Sequence, residues 1–445
     1  MDAAAVVSAS ASTDVSGSDL PEGVELTTLD SGIRVVTEEV PSVRSVALGL
    51  WVKTGSRDET PAQAGVSHFL EHLLFKGTDR HSAIEISELF DGMGAATNAA
   101  TGKETTHLHA RVLDEHTGEA FDLMAEMLLA PALPPDEIDS EREVVLEEIA
   151  MYEDEPQDRV HDVLAEAIYG DSPLGRRVLG SADVIGGIPV PDIARYHDDR
   201  YTAGNIVVSA AGHVEHPRIV ELAERLLRAP AGERNGANGD GPKEQARLSF
   251  YPKETEQYHI CFGGPGIARS DDRRFALAVL DTIFGGSVSS RLFREVREKR
   301  GLAYSVGSYT HEFEDRGFVA MYVGTRADNV SEACEIIGRE LVSLRDEGVG
   351  ADELARAMEH VKGRMVLGLE ATGARMSRLA RSVMFDIPVL SLDQMLERVD
   401  AVDTDGVAAL AAELYDPASL AAACVGPDES CFRKAAGSVS ESLVA

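Results

Sequence analysis

Hydrophobic and polar residues alternate along several short runs near the start of the chain, a pattern typical of half-buried β-strands. Between and after these runs, apolar residues recur at the three- and four-residue spacing of amphipathic helices. Because the strands come in pairs with helices between them, the pattern predicts an α+β fold and not a doubly wound parallel sheet. The predicted strands cover 24–29, 32–37, 45–53 and a pair within 95–113, and helices are predicted around 66–75 and over 84–93, 119–129 and 135–151.

The chain divides into two halves of similar size that resemble each other. A stretch of glycines, prolines and polar residues at 230–247 is typical of an interdomain linker. On either side of it, the run 202–212 follows Tyr201 in the way that 416–426 follows Tyr415. We therefore predict two homologous domains in tandem, each a mostly antiparallel sheet flanked by helices. The domains are placed at 21–229 and 248–430, between a disordered tail at 1–20 and a second tail at 431–445.

Composition narrows the class of protein. The 42 basic and 76 acidic residues give a formal charge of -34, which argues against a nucleic-acid-binding surface. No run of about 20 apolar residues occurs, so no contact with a membrane interior is expected. Four cysteines without C-x-x-C spacing, and a first twenty residues without Lys or Arg, favour a cytoplasmic protein with free thiols.

A trio of polar residues interrupts an otherwise apolar helix. His68 and His72 are four residues apart and share one helix face, with Glu71 within about 60° of His68. The flanking residues are apolar, and buried polar groups need partners, which a metal ion would supply. The order H-x-x-E-H is the inverted form of a common zinc motif, in which two histidines bind the metal and the glutamate acts as a base. The alternative is a solvated polar face, and we favour zinc.

A catalytic zinc site normally has a third protein ligand. The acidic helix from Glu141 to Met151 offers several candidates, and Glu141 and Glu148 share a face because they are seven residues apart. Spacing alone does not choose between Glu147 and Glu148. The second half is predicted to lack a metal site, since its residues that correspond to the motif are Leu277, Leu280 and Asp281.

These motifs together resemble a known family. The stretch from His68 to Thr78, followed by 141–148, is similar to the pitrilysin/insulinase family of inverted-motif zinc metallopeptidases. The branch it resembles most is that of the mitochondrial processing peptidase β subunit and its bacterial homologues. The resemblance runs from Val24 to about Pro427 and implies one zinc ion per chain, with Glu148 as the third ligand and Glu141 as an outer residue that orients a ligand. It also implies that Glu71 is the general base for attack by zinc-bound water.

The second half carries a further match to the family. The segment 290–306 resembles the one that holds an arginine and a tyrosine seven residues apart, here Arg297 and Tyr304. In the family this pair reaches the substrate across a closed chamber, which implies hydrogen bonds to the substrate carbonyl or the developing oxyanion. An edge strand of the family that aligns extended peptides falls at 95–101. The resemblance therefore implies Asn98 and Ala99 as substrate contacts, together with Phe69 of the motif helix.

The resemblance implies an activity and an assembly. We expect a zinc-dependent endopeptidase that hydrolyses unfolded or extended peptides inside a dimeric chamber. Because the metal motif and the Arg/Tyr pair occur in one chain, the expected partners are a peptide substrate and a second copy in a homodimer. The alternative is a non-catalytic peptide-binding or structural core subunit of the same fold. Structural subunits of that kind have lost metal-binding residues that this chain keeps.

Overall fold

A computed structural model of the chain describes residues 20–232, 234 and 248–444. Each half is built on one sheet. The strands of the first sheet are β1 (Val24–Thr28), β2 (Arg34–Glu39), β3 (Ser45–Val52), β4 (Ala96–Thr101), β5 (Thr106–Leu113) and β6 (Ile206–Gly212). Those of the second sheet are β7 (Leu248–Pro252), β8 (Gln257–Gly266), β9 (Ala303–Glu312), β10 (Gly317–Arg326) and β11 (Ala421–Gly426).

Helices flank both sheets. The first half contains α1 (Val66–Leu73), α2 (Ala83–Gly92), α3 (Thr117–Leu129), α4 (Pro135–Asp154), α5 (Pro156–Tyr169), α6 (Ala182–Gly187), α7 (Val190–Arg200) and α8 (His216–Leu226). The second half contains α9 (Arg274–Phe284), α10 (Val330–Glu347), α11 (Ala351–Gly368), α12 (Thr372–Met384), α13 (Leu392–Asp400), α14 (Thr404–Leu414) and α15 (Glu429–Val439). The predicted α+β class is confirmed.

The internal repeat is confirmed by the strand order. The first sheet runs β1-β2-β6-β3-β5-β4 and the second runs β7-β11-β8-β10-β9. If β1 is left out, the two sheets have the same strand order, with β2, β6, β3, β5 and β4 corresponding to β7, β11, β8, β10 and β9. Each sheet has one parallel pair, β2 with β6 and β7 with β11, and its other pairs are antiparallel. In the second half α9 takes the place of α1, and its Leu277 and Leu280 are buried in the core where the first half carries its histidine motif.

One helix from each half packs against the sheet of the other half. α5 lies on β7, β8 and β11, where Leu164 and Ile168 join an apolar cluster with Ala320 of the second sheet. α12 lies on β2, β3 and β6, where Leu379 packs in one cluster with Trp51. Each sheet therefore has an apolar face that is covered by a helix from the other half, and the two halves stabilise each other.

The predicted tail at 431–445 is wrong for the residues that the structure describes there. Residues 431–439 belong to α15, and a 3-10 turn follows over Glu441–Leu443. Phe432, Ala436 and Leu443 are buried in the core of the second half. The predicted tail at 1–20 and linker at 230–247 lie almost entirely outside the described residues. Within the described ranges, no helix is long and apolar enough to cross a membrane.

Candidate metal centre

The helix that carries the motif is short and is fixed at its N-terminus. α1 begins after Gly65, whose φ of 96° lies in the left-handed region and where a Cβ atom would approach the carbonyl oxygen of Leu179 to 2.6 Å. The two carboxylate oxygens of the buried Glu59 accept hydrogen bonds from the backbone N–H groups of Gly65 and Ser67, each at 2.8 Å. Glu59 thereby supplies acceptors for N–H groups that the start of a helix leaves unpaired. These contacts set the position of the first turn, and hence that of His68.

Three ligand atoms meet where α1 faces α4. The Nε2 atoms of His68 and His72 lie 3.3 Å apart, and each lies 3.5 Å from Oε2 of Glu148. Ligand atoms bound at about 2.0–2.1 Å to a tetrahedral zinc ion are about 3.3–3.4 Å apart, so this triangle has the size of one face of such a site. Two imidazoles and a carboxylate also form a ligand set of catalytic zinc. The residues present therefore fit the metal.

The surroundings of His68 and of Oε2 of Glu148 favour metal binding. Burial, helped by the neighbouring His72, lowers the pKa of His68 to about 4, so its imidazole is neutral at neutral pH. Oε2 of Glu148 is buried and accepts no hydrogen bond from the described residues. A buried carboxylate oxygen without a donor is costly unless a cation binds it.

An outer pair of residues supports His72. Oε1 of the buried Glu141 lies 2.8 Å from Nδ1 of His72, and Nζ of Lys76 lies 2.5 Å from Oε2 of the same carboxylate. A carboxylate on the second ring nitrogen is the usual way to fix the tautomer and orientation of a metal-binding histidine. Lys76 was not singled out from the sequence, because a lysine after the motif carries no signal of its own.

Glu71 lies beside the three ligand atoms without being one of the group. Burial raises the pKa of its carboxyl, whereas the neighbouring hydroxyl and backbone of Thr101 oppose that effect. Thr101 is the last residue of β4. The carboxyl that could act as a base thus lies beside the end of a strand, a proximity that the sequence does not reveal.

Among the strands that the structure describes, β4 is the outer one of its sheet and pairs with β5 on one side only. The side chain of Asn98 is exposed on this strand. Ala99 is only 6% exposed and packs in the core, so its backbone and not its side chain is available to a peptide. The edge position that the resemblance implies for this segment is therefore present in the fold.

The assignment of Phe69 to substrate binding is wrong for this structure. Its side chain is 0% exposed and packs in the core of the first half, with the guanidinium of Arg142 5.3 Å from its ring centroid. On α1 it lies on the side of Val66 and Leu73, away from Glu71. The helical spacing of these apolar residues could have placed Phe69 on the buried face from the sequence alone.

Arg297 and Tyr304 lie next to each other in the second half. Nη1 of Arg297 donates a hydrogen bond to the backbone oxygen of Tyr304 at 2.6 Å, and its guanidinium lies 4.4 Å from the Tyr304 ring centroid. The Tyr304 side chain is 79% exposed. Across the described ranges, no hydrogen bond, ion pair or ring contact joins this pair to His68, His72 or Glu148. The fold brings together the metal ligands and, separately, the Arg/Tyr pair.

Comparisons with known proteins agree with this arrangement. Residues 34–182 match the family model described as insulinase (peptidase family M16), and residues 187–361 match the model described as the peptidase M16 inactive domain. A protein of Streptomyces coelicolor named as an uncharacterized zinc protease is 44% identical over 404 residues, which cover 88% of this chain and 87% of that protein. A Bacillus subtilis protein of the same description is 40% identical over 388 residues, which cover 87% of this chain and 95% of that protein.

Solved structures share the fold. A protease from Helicobacter pylori superposes with a TM-score of 0.85 at 22% identity, covering 92% of this chain and 100% of that one. A chain of Complex III2 from Candida albicans superposes with a TM-score of 0.81 at 19% identity, covering 94% of this chain and 100% of that one. At these identities the likeness shows the fold alone. The family models and the zinc-protease relatives establish that the chain belongs to the insulinase family of peptidases, peptidase family M16.

Proposed function

We propose that this zinc peptidase is an endopeptidase that hydrolyses unfolded or extended peptides inside a chamber formed by two copies of the chain, with one zinc ion bound per chain. The observation that carries the proposal is the triangle of ligand atoms from His68, His72 and Glu148, with Glu71 beside it and outside it. His68, His72 and Glu148 would hold the zinc ion, which would supply Lewis acidity for the scissile carbonyl and for activating water near neutral pH.

Glu71 is the residue that moves the proton. Its carboxylate takes a proton from the attacking water and then delivers it to the leaving amine of the cleaved peptide. Thr101 lies next to this carboxylate and limits its movement during the transfer. Glu141 acts indirectly, because it orients His72.

β4 is the element that aligns the substrate. Its free edge can pair with an extended peptide as an additional strand, and only an unfolded segment can offer its backbone in that way. Because Thr101 ends β4 and contacts Glu71, a peptide paired along this edge is led towards the base. The exposed side chain of Asn98 and the backbone of Ala99 are the contacts that such a strand would meet first.

Arg297 and Tyr304 act on the same peptide from the other side of the chamber. Both are polar donors, and the Tyr304 side chain is 79% exposed. A donor that meets the oxyanion as it forms typically contributes about 100-fold or more to the rate. The lack of contact between this pair and the metal ligands within one chain supports a homodimer, in which the two groups face each other across an interior.

Replacing the base tests the proposal. Purified wild-type chain should contain one zinc ion and cleave unstructured peptides at internal bonds, which mass spectrometry of the products identifies. Glu71→Gln should keep its zinc and lose activity by about 10²–10⁴-fold. Glu88→Gln, which removes the same charge from an exposed position on α2, should keep both zinc and activity.

Two results would overturn the proposal. One is a zinc-loaded Glu71→Gln variant that cleaves as fast as wild type, which would remove the base. The other is a wild-type chain that holds zinc and binds peptides but cleaves none of them, which would favour a non-catalytic peptide-binding subunit of the same fold.

A further inference from the structure

A cationic cavity lies in the second half of the chain. It is open to solvent, has a volume of about 700 Å³ and is bordered by α12, by the start of α9 and by the segment that precedes α9. Four arginines line it, and the single acidic residue among its lining residues is Glu312. The whole chain carries 76 acidic and 42 basic residues, so this local excess of arginine runs against the charge of the protein. The four arginines are Arg269, Arg274, Arg378 and Arg381.

Arg274 pairs with Asp272 at 3.6 Å, whereas the carboxylates that pair with Arg269 and Arg378 neutralise those two guanidinium groups only in part. Arg269 pairs with Glu104 at 3.0 Å, but Glu104 also pairs with Arg57 at 2.7 Å. Arg378 pairs with Glu38 at 3.2 Å, and Glu38 is also bound by a second guanidinium, that of Arg375. Each of the two carboxylates is therefore shared by two arginines. The Nε atom of Arg378 is in addition buried without a hydrogen-bond partner among the described residues.

Arg381 is the least neutralised of the four. Its side chain reaches solvent, yet burial by the surrounding protein, together with the charge of Arg269, lowers the pKa of its guanidinium. Its backbone oxygen accepts a hydrogen bond from Phe385, but within the described ranges its guanidinium has no hydrogen-bond or ion-pair partner. Keeping two guanidinium groups close together in a recess costs free energy, and a bound anion would offset that cost. The planar fork of Arg381 matches the two oxygens of a carboxylate.

Apolar side chains form the other part of the cavity wall. Phe275, Met365, Ile387 and Met395 line it beside the arginines. A volume of about 700 Å³ lies within the roughly 300–1,000 Å³ of typical ligand sites. A bare inorganic anion would leave these walls in contact with water, whereas a chain segment with both an acidic and an apolar side chain would cover them.

We propose that this cavity binds the carboxylate of an acidic residue in an extended peptide, with Arg381 as its principal contact and the neighbouring apolar residue of the peptide against the cavity wall. Binding of the peptide does not depend on the proposed function, but calling the bound peptide a substrate does. It names a substrate class, peptides with an acidic residue next to an apolar one. The acidic net charge of the chain would by itself favour basic peptides instead.

The experiment measures binding and needs no hydrolysis. The full-length chain carrying Glu71→Gln is titrated against two labelled unstructured peptides, and fluorescence anisotropy measures binding. The peptides are identical except that one contains Glu-Leu-Glu where the other contains Gln-Leu-Gln. The acidic peptide should bind about tenfold tighter or more, the size expected for a hydrogen-bonded charge pair. Adding Arg381→Gln should remove this preference. Adding Arg195→Gln, which removes the same charge from an exposed position on α7, should leave it unchanged.

Further measurements separate a binding role from a structural one. Because the Arg381 guanidinium has no partner to lose among the described residues, Arg381→Gln should unfold at no lower temperature than its parent. A clear loss of stability would overturn its assignment as a ligand-binding residue. Arg381→Lys keeps the charge without the fork, so it should bind the acidic peptide with intermediate affinity. Equal affinity of the parent for the two peptides overturns the proposal.

The source of the anion is tested with inorganic phosphate alone. Calorimetry could show that the parent binds phosphate, that Arg381→Gln does not, and that the parent binds the two peptides with equal affinity. This result would assign the cavity to a free oxyanion and overturn the proposal that it binds a peptide. If acidic peptides bind through Arg381 but the wild-type chain hydrolyses nothing, only the proposed function fails. If hydrolysis occurs without a preference for acidic peptides, only this proposal fails.

Discussion

Nδ1 of His72 lies 2.8 Å from Oε1 of Glu141, and the second oxygen of that buried carboxylate is bound by Lys76. We expect Glu141→Gln to lower the affinity for zinc by about 10–100-fold, because the amide keeps the shape of the side chain but loses the charge that holds the imidazole. Competition with a chromophoric chelator measures the affinity. Glu143→Gln, at an exposed position on the same helix, is the control, and equal zinc affinities for the two variants would contradict the role of Glu141.

Glu147 and Glu148 are adjacent, and only one of them meets the histidines. Oε2 of Glu148 lies 3.5 Å from both Nε2 atoms, whereas the side chain of Glu147 is exposed. Purified Glu148→Gln should therefore lose zinc more severely than Glu141→Gln, since a ligand itself is removed. Glu147→Gln should retain about one zinc ion per chain by elemental analysis. If Glu147→Gln contained no zinc, the third ligand would be Glu147, and the assignment of Glu148 would be wrong.

The guanidinium of Arg297 packs over the rings of Phe293 and Tyr304, with centroid distances of 4.7 Å and 4.4 Å. If it donates to the developing oxyanion, Arg297→Gln should lower kcat by about 100-fold or more and leave zinc content unchanged. Arg294→Gln lies on the same short helical segment, Phe293–Glu298, and should keep its activity.

Tyr304→Phe tests the partner of Arg297 without disturbing that packing. It retains the ring and removes only the hydroxyl, so a fall in kcat would report a lost hydrogen bond in the transition state. Unchanged kcat in both Arg297→Gln and Tyr304→Phe would place the pair outside the reaction.

Local sequence patterns predicted the parts of the site that local forces determine. The motif helix, the strand pair within 95–113 and the acidic helix are set by short-range periodicity, and the structure has them at Val66–Leu73, at Ala96–Thr101 with Thr106–Leu113, and at Pro135–Asp154. The repeat was also visible, because equivalent segments end in similar strands after Tyr201 and Tyr415. Glu148 needed the family resemblance, since Glu147 and Glu148 are equally acidic neighbours.

Long-range packing was not predictable from the sequence. The exchange of α5 and α12 between the sheets depends on which apolar faces remain uncovered once both sheets have formed. The cavity around Arg381 joins residues more than a hundred positions apart, such as Arg269 and Arg381, that no spacing rule connects. The prediction of a tail at 431–445 is an error of a different kind, because the sequence did contain the signal for a helix. The helical spacing is that of Phe432, Ala435, Ala436 and Val439.

Glu59 is a buried carboxyl whose titration should affect the stability of the whole domain. Burial raises its pKa to about 7, although the N–H groups of Gly65 and Ser67 oppose the change. In the unfolded chain its pKa returns to the ordinary value of about 4.5. Between about pH 4.5 and 7 the folded state then binds more protons than the unfolded state, so the free energy of unfolding falls as the pH rises.

The contribution of Glu59 is fully present below about pH 4.5 and is lost as the pH rises through about 7. A shift of this size corresponds to about 3 kcal/mol. The test is denaturant unfolding of wild type and Glu59→Gln, both with EDTA so that metal binding does not contribute. The difference between their free energies of unfolding should change by about 3 kcal/mol between about pH 5 and pH 8. The amide introduced by Glu59→Gln places a donor where one carboxyl oxygen accepts, so the variant is less stable at the acidic end and approaches wild type at the basic end. Other titrating groups cancel in the difference, and a difference that is flat with pH would mean that Glu59 titrates alike in both states.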